Sequence, residues 1–364
     1  MSWGLGSVAP DNMSAGSSYA SAVVMASRAS ASLLIVGLGG CTDVGEHLRR
    51  AATQRECDVR FMSSNDAHAS SRWLRSLTRR FYHDFPLRSR AFNQAVCSHL
   101  ESARPRWLLT TGSSPVLRET IAEARRLGVT TINYSTDDPW NPRHATPWLL
   151  SAIREYDVVA TPRAGTIAEF HSLGVRRVIH VPFAYCPDAH CPDEHCIESI
   201  TGGDVFFAGG CDSDRLPYFR EVINAGLRPI LCGAYWDRHG DMRRFHHGFA
   251  SPSEMAALHA QTPISICLVR RANRDEHVMR TYEAAAMGAC LAMEDTPAHR
   301  RLFGADGERV LYFSDPDSLV NACKRLLADP GLRQRLRVAA REAVVRGRNT
   351  YADRLDQMLA AASG

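Results

Sequence analysis

Short apolar runs alternate with amphipathic segments from residue 31 onward, which is the pattern of strands separated by helices. In the first half, strands are predicted for the apolar runs 32–37, 58–63, 106–111, 130–136, 157–162 and 177–183. Helices are predicted between them at 44–52, 89–103, 115–128 and 146–156. Strands joined through helices imply a parallel sheet with right-handed crossovers, and therefore a doubly wound α/β domain.

The same alternation begins again after an irregular connector. Strands are predicted at 204–210, 229–233, 264–269 and 308–314, with one more after the helix in "VMRTYEAAAMGACLAMED". Helices at 315–328 and 329–345 each begin with Asp followed by Pro, a favourable helix start. The predicted organisation is a disordered tail (1–30), an N-terminal Rossmann-like domain (31–185), a linker (186–200), a C-terminal Rossmann-like domain (201–345) and a C-terminal helix (346–364). Ligands are expected in the cleft between the two domains.

Composition and charge exclude several classes of protein. The 364 residues are 45% hydrophobic and 23% charged, as in ordinary soluble proteins. The net charge of +4 is too small to indicate a nucleic-acid partner. No run approaches 18 apolar residues, so no membrane span is expected. The scattered cysteines, mostly in apolar runs, are typical of a reducing compartment, and a cytoplasmic location is predicted.

One cysteine-rich segment, "YCPDAHCPDEHC", has two interpretations. Cys186, Cys191, Cys196, His190 and His195 are residue types that bind zinc. Their spacing differs from that of paired zinc ligands, and the prolines and acids suit a solvated connector. The linker is the preferred interpretation, so no metal is expected; zinc stays the alternative.

A glycine-rich turn, "GLGG", follows the first strand. Gly39 and Gly40 allow a ligand to approach the backbone, and Asp66 follows the second strand. A dinucleotide fingerprint needs a further glycine where this chain has Thr42. A nicotinamide oxidoreductase is therefore one alternative, and a tight structural turn is another.

A similar turn, "FFAGGCDSDR", opens the C-terminal domain. Gly209 and Gly210 free the backbone there, and Arg215 stands at the start of the next helix. Helix N-terminal amides and a guanidinium favour a diphosphate, although Arg215 as a solvated surface charge is equally compatible.

The segment 268–295, "LVRRANRDEHVMRTYEAAAMGACLAMED", carries the most specific pattern. Three alanines follow Glu283, so some object approaches this helix closely, either a ligand or a neighbouring element. The segment resembles the nucleotide-sugar site of GT-B glycosyltransferases, in particular the CgeB-like (spore-maturation) group and glycosyl transferases group 1. The resemblance extends more weakly over about residues 31–360.

The resemblance implies a fold and a set of roles. The implied fold is GT-B, two Rossmann-like doubly wound parallel-sheet domains facing each other across a cleft. Glu283 would bind the ribose of the donor nucleotide, with Thr281 beside it. Asp275 or Glu276 would stand near the transferred sugar. Arg270, Arg271 and Arg280 would stabilise the leaving diphosphate, with at most two of the three in contact with it and a surface charge as the alternative for each.

Acceptor chemistry is expected from the first domain. "STDDPW" ends a strand, and Asp138 with its neighbour Asp137 can accept the proton of an acceptor hydroxyl, or form a turn instead. Trp236 is expected in the core or near the nucleobase. The basic, aromatic stretch 68–90 is either an acceptor surface or a solvated loop.

The sequence thus predicts a metal-independent, retaining glycosyltransferase. Its donor is a nucleotide-diphosphate sugar, expected to be a UDP-sugar from prevalence in the family, and its acceptor is a small molecule or glycan. No cofactor is expected beyond the nucleotide-sugar co-substrate. The alternatives are the oxidoreductase and a non-catalytic nucleotide-sugar-binding homologue.

Overall fold

The protein contains two parallel β-sheets, each flanked by helices. The computed structural model describes residues 32–68, 86–142, 145–192, 200 and 202–364. The predicted tail (1–30) and most of the basic stretch, residues 69–85, lie outside the described residues. Within them, no helix is long and apolar enough to cross a membrane.

The N-terminal sheet has six strands in the order β2-β1-β3-β4-β5-β6, all paired in parallel. The strands are β1 (Ser32–Gly37), β2 (Asp58–Ser63), β3 (Trp107–Thr111), β4 (Thr130–Tyr134), β5 (Val158–Thr161) and β6 (Val178–His180). The helices are α1 (Val44–Gln54), α2 (Ser89–Ala103), α3 (Arg118–Arg126), α4 (Pro147–Ile153) and α5 (Ile167–Leu173). Strands β1, β3, β4 and β5 are almost entirely buried, as expected when helices cover both faces of a parallel sheet.

The C-terminal sheet has five parallel strands in the order β11-β10-β9-β7-β8. The strands are β7 (Val205–Ala208), β8 (Pro229–Cys232), β9 (Ile264–Cys267), β10 (Leu291–Glu294) and β11 (Leu311–Phe313). The helices are α6 (Leu216–Asn224), α7 (Pro252–Gln261), α8 (Met279–Ala286), α9 (Pro297–Phe303), α10 (Pro316–Ala328), α11 (Pro330–Val345) and α12 (Tyr351–Ser363). The predicted Asp-Pro starts are real N-caps, because Asp315 and Asp329 accept hydrogen bonds from the amides of Ser318 and Leu332.

The chain crosses between the domains twice, at adjacent points. Helix α12 returns from the C-terminal domain and packs against α1 of the N-terminal domain. The amide of Tyr351 donates to the carbonyl of Tyr185 at 3.0 Å. Arg354 donates to the carbonyls of Pro182 and Phe183 at 3.0 and 3.2–3.3 Å. The two crossings are therefore tied together at one edge of the cleft.

The small residues of helix α8 serve packing. Ala284, Ala285 and Ala286 are buried in one hydrophobic cluster together with Ala340 and Val344 of α11. Helix α11 packs directly on α8, and Arg341 donates to the carbonyl of Ala286 at 3.2 Å. The interpretation that the alanines leave room for a ligand is therefore wrong, since α11 fills that space.

Candidate nucleotide-sugar site

A cavity of about 470 Å³ lies between the carboxyl ends of the two sheets. Its N-terminal wall comes from the loops after β1, β2, β3 and β4, and its C-terminal wall from the loops after β7 and β9 and the start of α8. The carboxyl ends of parallel strands converge here in both domains, which is where this architecture binds ligands. The volume suits a ligand of nucleotide size.

The C-terminal wall carries three guanidinium groups. Arg215, Arg270 and Arg280 all line the cavity. Arg215 donates to the carbonyl of Gly210 at 2.8 Å and lies over the ring of Phe207. Burial lowers the pKa of Arg215 and of Arg280. Asp212, which does not line the cavity, lies 3.8 Å from Arg215 and 3.4 Å from Arg270, and Glu283 pairs with Arg280. These acids hold the three guanidinium groups in a partly dehydrated setting, where each charge acts more strongly than in water.

Helix α8 also contributes to this wall. Its first residues, Met279 and Arg280, and the preceding Val278 line the cavity, so the positive end of the helix dipole faces it. Thr281 ties this helix start together, because its hydroxyl accepts from the Val278 amide at 3.1 Å and contacts Nε2 of His299 at 2.9 Å. Thr281 is fully buried and does not line the cavity.

Asp275 is the buried carboxylate of the cavity. One of its oxygens, Oδ1, lies 2.6 Å from Nη2 of Arg163, and the two side chains are only 5% and 3% exposed. Arg163 follows β5, so this ion pair joins the two domains. Burial raises the pKa of Asp275 to about 7, with Arg163 opposing that rise. The Asp275 carboxyl therefore titrates near neutral pH, so small changes in its surroundings decide whether it carries a proton or a negative charge.

The N-terminal wall presents hydroxyl groups and two carboxylates, those of Asp43 and Asp137. Thr111, Ser113, Thr136 and Asp137 line it, with Trp148 beside them. An oxygen of Asp137 accepts from Nδ2 of Asn273 across the cleft at 3.4 Å and lies 3.7 Å from Nη1 of Arg270. A hydroxylated substrate that enters from this side thus meets hydrogen-bonding groups around Asp137.

Two predicted acids lie outside the cavity wall. Asp138 is 1% exposed, and it accepts two hydrogen bonds from Arg274, at 2.6 and 3.0 Å. Arg274 also donates twice to Glu169, at 2.6 and 2.7 Å, so the three side chains connect the domains. Glu276 is 45% exposed and pairs with Arg301 at 3.1 Å.

Glu283 lies one helical turn beyond Met279, and it does not line the cavity. Its side chain is 1% exposed and forms an ion pair with Arg280. Oε1 also lies 3.7 Å from Nε2 of His190. Arg280 thus connects the predicted ribose-binding acid with the cavity.

Arg271 lies outside the cavity as well. It donates to the buried Glu294 at 2.9 and 3.3 Å and to the hydroxyl of Tyr218 at 2.9 Å. Glu294 also accepts from the Val269 amide at 3.0 Å, so this arrangement holds the loop that carries Arg270.

The glycines of the two turns differ in environment. Gly209 lines the cavity, and a Cβ there would lie 2.8 Å from the Phe207 ring. Its carbonyl accepts from Nε1 of the fully buried Trp236 at 2.8 Å. Gly210, Gly39 and Gly40 do not line the cavity, and the last two are exposed.

Several site residues went unrecognised in the sequence, among them Arg163 and Gly45. Arg163 comes two residues after Thr161, the last residue of β5, and its place after a strand was the available signal. Gly45 is the second residue of helix α1, and a Cβ there would lie 2.6 Å from the carbonyl of Leu38. This close contact of turn and helix is the packing role that the dinucleotide fingerprint assigns to its last glycine, at a different spacing.

The described residues include one group with metal-ligand atoms close together. His47, His190 and Glu283 are buried, with one such atom of each within 4.8 Å of the others. Nδ1 of His190 accepts the amide of Cys186 at 2.9 Å, so the neutral ring carries its proton on Nε2, which faces Glu283. The Arg280 guanidinium also occupies one side of Glu283. A divalent cation therefore fits this group poorly. In the cysteine-rich segment, Cys196 and His195 lie outside the described residues.

Comparison with known proteins agrees with this geometry. Residues 217–360 match the family model Glyco_trans_1_2, described as "Glycosyl transferase-like". The chain carries a glycosyltransferase domain. A search of curated proteins found no match.

Solved structures show the fold of the whole chain. Sucrose-phosphate synthase from Thermosynechococcus elongatus superposes with a TM-score of 0.64 at 12% identity, covering 91% of this chain and 98% of that chain. Trehalose 6-phosphate synthase from Burkholderia multivorans gives 0.61 at 12% identity, covering 92% and 98%. The Anabaena HepE structure with UDP and glucose gives 0.60 at 12% identity, covering 91% and 99%. These structures confirm the predicted GT-B fold, and the family-model match over residues 217–360 confirms the predicted glycosyltransferase class.

Proposed function

We propose that this protein transfers a sugar from a UDP-sugar to an acceptor hydroxyl, without a metal ion and with retention of anomeric configuration. The observation that carries the proposal is the charge distribution of the cavity. Three arginines and a helix N-terminus form its C-terminal wall, and Asp275 and Asp137 face its interior. That arrangement suits a ligand with a diphosphate at one end and a sugar at the other.

The arginines supply the electrostatic stabilisation of the reaction. As the sugar–oxygen bond breaks, negative charge builds on the leaving diphosphate, and fixed cations stabilise that charge without reorganisation. Arg270 and Arg280 line the cavity, although the Arg280 guanidinium pairs with Glu283, and Arg215 is held by the Gly210 carbonyl. We assign the diphosphate to these three groups, and to Arg271 the task of holding the loop that carries Arg270.

The sugar and the ribose meet carboxylates in this proposal. Asp275, the carboxylate that lines the cavity next to the arginines, binds the transferred sugar. Retention is proposed from the resemblance of this segment to retaining enzymes. Glu283 and Thr281 remain predicted ribose-binding residues. For Glu283 to bind the ribose, the Arg280 side chain must turn away from it when the nucleotide enters.

The acceptor contact is proposed for Asp137. It lines the cavity from the N-terminal domain, whereas Asp138 is held by Arg274 behind the wall. A carboxylate there accepts the proton of an incoming hydroxyl or binds it. Asp138 and Glu276 take structural parts in this scheme.

Similar folds give the choice of nucleotide. HepE of Anabaena was solved with UDP and glucose, and a DNA-modifying β-glucosyltransferase with a TM-score of 0.57 was solved with uridine diphosphoglucose. We carry over only the uridine diphosphate part as the proposed donor. A cytoplasmic location is proposed with it, because the ten cysteines of the described residues are free thiols, as in reducing compartments.

Thermal unfolding against a panel of UDP, GDP, ADP, their sugars and NAD tests the donor. A ligand at about 100 times its dissociation constant adds about 2.7 kcal/mol of stability, which is readily measured. We expect UDP and one UDP-sugar to stabilise the protein, with the same shift in excess EDTA. UDP release from that sugar, with the product anomer followed by NMR, then tests transfer and retention.

The panel also separates the alternatives. Stabilisation by NAD alone would favour the oxidoreductase. Binding of a UDP-sugar without any turnover, unchanged by Asp275→Asn, would favour a non-catalytic binder. Loss of the UDP shift in EDTA would contradict metal independence.

A further inference from the structure

One ion pair in the cleft has a partner in each domain. Arg163 belongs to the N-terminal domain and follows β5, and Asp275 belongs to the loop before α8. Their side chains meet at 2.6 Å and are both almost fully buried. Asp275 lines the cavity and Arg163 does not, so the guanidinium stands behind the carboxylate.

Arg163 is itself held rigidly. It donates to the carbonyl of Ser135 at 3.2 Å and to that of Thr136 at 2.7 Å. These two residues follow β4 and directly precede Asp137, which lines the cavity. The Arg163 side chain therefore connects the loop that carries Asp137 with the carboxylate of Asp275.

We propose that Arg163 is a positioning residue: it fixes the Asp275 carboxylate toward the bound sugar, as an anion, only while the two domains are together. The proposal rests on the proposed function, which gives Asp275 the sugar. Recognition of the sugar is then conditional on the N-terminal domain being in place, whereas the diphosphate is held by C-terminal residues alone.

The charges around Asp275 support this dependence. Burial raises the pKa of Asp275 and the nearby Asp137 adds to that rise, while Arg163 and, more weakly, Arg270 lower it. Arg270 lies on the same domain as Asp275, so Arg163 is the opposing cation that depends on domain contact. Without Arg163, the same buried carboxyl retains its proton at neutral pH.

The first test compares Arg163→Met, Arg163→Lys and Arg274→Gln in the full chain. Arg274 also joins the domains but pairs with Asp138 and Glu169, so it is the matched control. The measured quantity is the pH dependence of kcat/KM for the UDP-sugar. We expect its acid limb to move upward by about one pH unit or more in Arg163→Met, because the carboxyl of Asp275 loses the cation that favours its ionised form; one unit is a tenfold change in ionisation. Arg163→Lys keeps the positive charge, so its acid limb should lie between those of Arg163→Met and the wild-type protein. Arg274→Gln should have the wild-type acid limb.

The binding readout separates positioning from general damage. In Arg163→Met, kcat/KM for the UDP-sugar falls about tenfold or more, while the affinity for UDP alone changes less than about threefold. An unchanged acid limb, or an equal loss of UDP affinity, overturns the positioning role.

The second test does not depend on transfer. A double-mutant cycle of Arg163→Met and Asp275→Asn in urea unfolding should give a favourable coupling at about pH 8 that falls at about pH 5, where the carboxyl is protonated. Coupling without any sugar transfer by the wild-type protein contradicts the proposed function and leaves the ion pair standing. No coupling at either pH overturns the further inference, whatever the transfer assay shows.

Discussion

At the scale of single residues, the loops of the cavity turn only some of their side chains toward the cleft: Asp137 lines it and Asp138 does not. Arg215, Arg280, Gly209 and Asp275 were recognised in the sequence, and all four line the cavity. Asp138, Glu276 and Arg271 were recognised too, yet each pairs with a group outside it. Adjacent residues in a loop point in different directions, and a sequence does not show which of two neighbours turns toward the cleft. We therefore propose structural parts for these three residues, and activity measurements on their variants would test the predicted roles in binding or catalysis.

Replacing Asp275 by Asn should change how stability depends on pH. The pKa of Asp275 is about 7 in the folded protein against 3.8 for the free carboxyl, so between these values the folded chain holds a proton that the unfolded chain releases. The wild-type free energy of unfolding therefore falls as pH rises through this window, by at most about 4 kcal/mol. Asp275→Asn lacks this fall.

Urea unfolding of both proteins at about pH 5 and about pH 8 measures the effect. We expect the stability of Asp275→Asn relative to wild type to improve at the higher pH. A difference that is equal at the two pH values would mean that Asp275 titrates like an exposed carboxyl.

Gly209 and Gly210 form a matched pair for the diphosphate turn. A Cβ at Gly209 would lie 2.8 Å from the Phe207 ring and 3.2 Å from Nη1 of Arg215, so alanine forces the ring to shift and moves the Arg215 guanidinium that lies over it. A Cβ at Gly210 would meet its nearest neighbour, the Ala234 carbonyl, at an ordinary 3.6 Å. Calorimetric titration with UDP should show a loss of about tenfold or more for Gly209→Ala. Gly210→Ala should stay within about threefold, and equal losses would argue against the displacement of Arg215.

The sequence predicted the helices and strands of this protein more accurately than its site residues or its contacts between domains. The strand predicted at 32–37 and the helix predicted at 89–103 agree with β1 and α2 to the residue. The prediction omitted helix α5, whose seven residues bury only Phe170 and so leave little hydrophobic periodicity. The three alanines of helix α8 predicted a close neighbour but did not identify it, because small side chains allow either a ligand or another helix to approach. Only the tertiary structure identifies α11 as the neighbour.

The turn between β1 and α1 depends on Gly45. A Cβ there would lie 2.6 Å from the Leu38 carbonyl and 3.3 Å from Cα of Gly37, two backbone atoms that cannot rotate away. We expect Gly45→Ala to lower the free energy of unfolding by about 1–3 kcal/mol through overpacking. The exposed Gly165, with nothing within 4 Å of its Cβ position, is the control and should change stability by less than about 0.5 kcal/mol. Equal effects in chemical unfolding would contradict the close packing of turn and helix.

At the scale of the whole molecule, sequence pattern predicted two domains and a cleft but not the contacts that join them. Arg163 with Asp275, and Arg274 with Asp138 and Glu169, connect residues more than 100 positions apart. No local pattern specifies such pairs, because each partner looks like an ordinary surface charge in its own segment. The packing of helix α12 on α1 could not be predicted from local sequence either, because it depends on the return of the chain to the N-terminal domain.

The most direct test of the account is the affinity of UDP for Arg270→Ala and Arg301→Ala beside the wild-type protein. Arg270 lines the cavity, whereas Arg301 is 62% exposed and pairs with Glu276 outside it. Charge-assisted hydrogen bonds contribute roughly 1.5–3 kcal/mol, so Arg270→Ala should weaken UDP about tenfold or more by titration calorimetry. Arg301→Ala should remain within about twofold. Equal affinities of all three proteins for UDP, or no UDP binding by the wild type, would contradict the assignment of the cavity as the donor site.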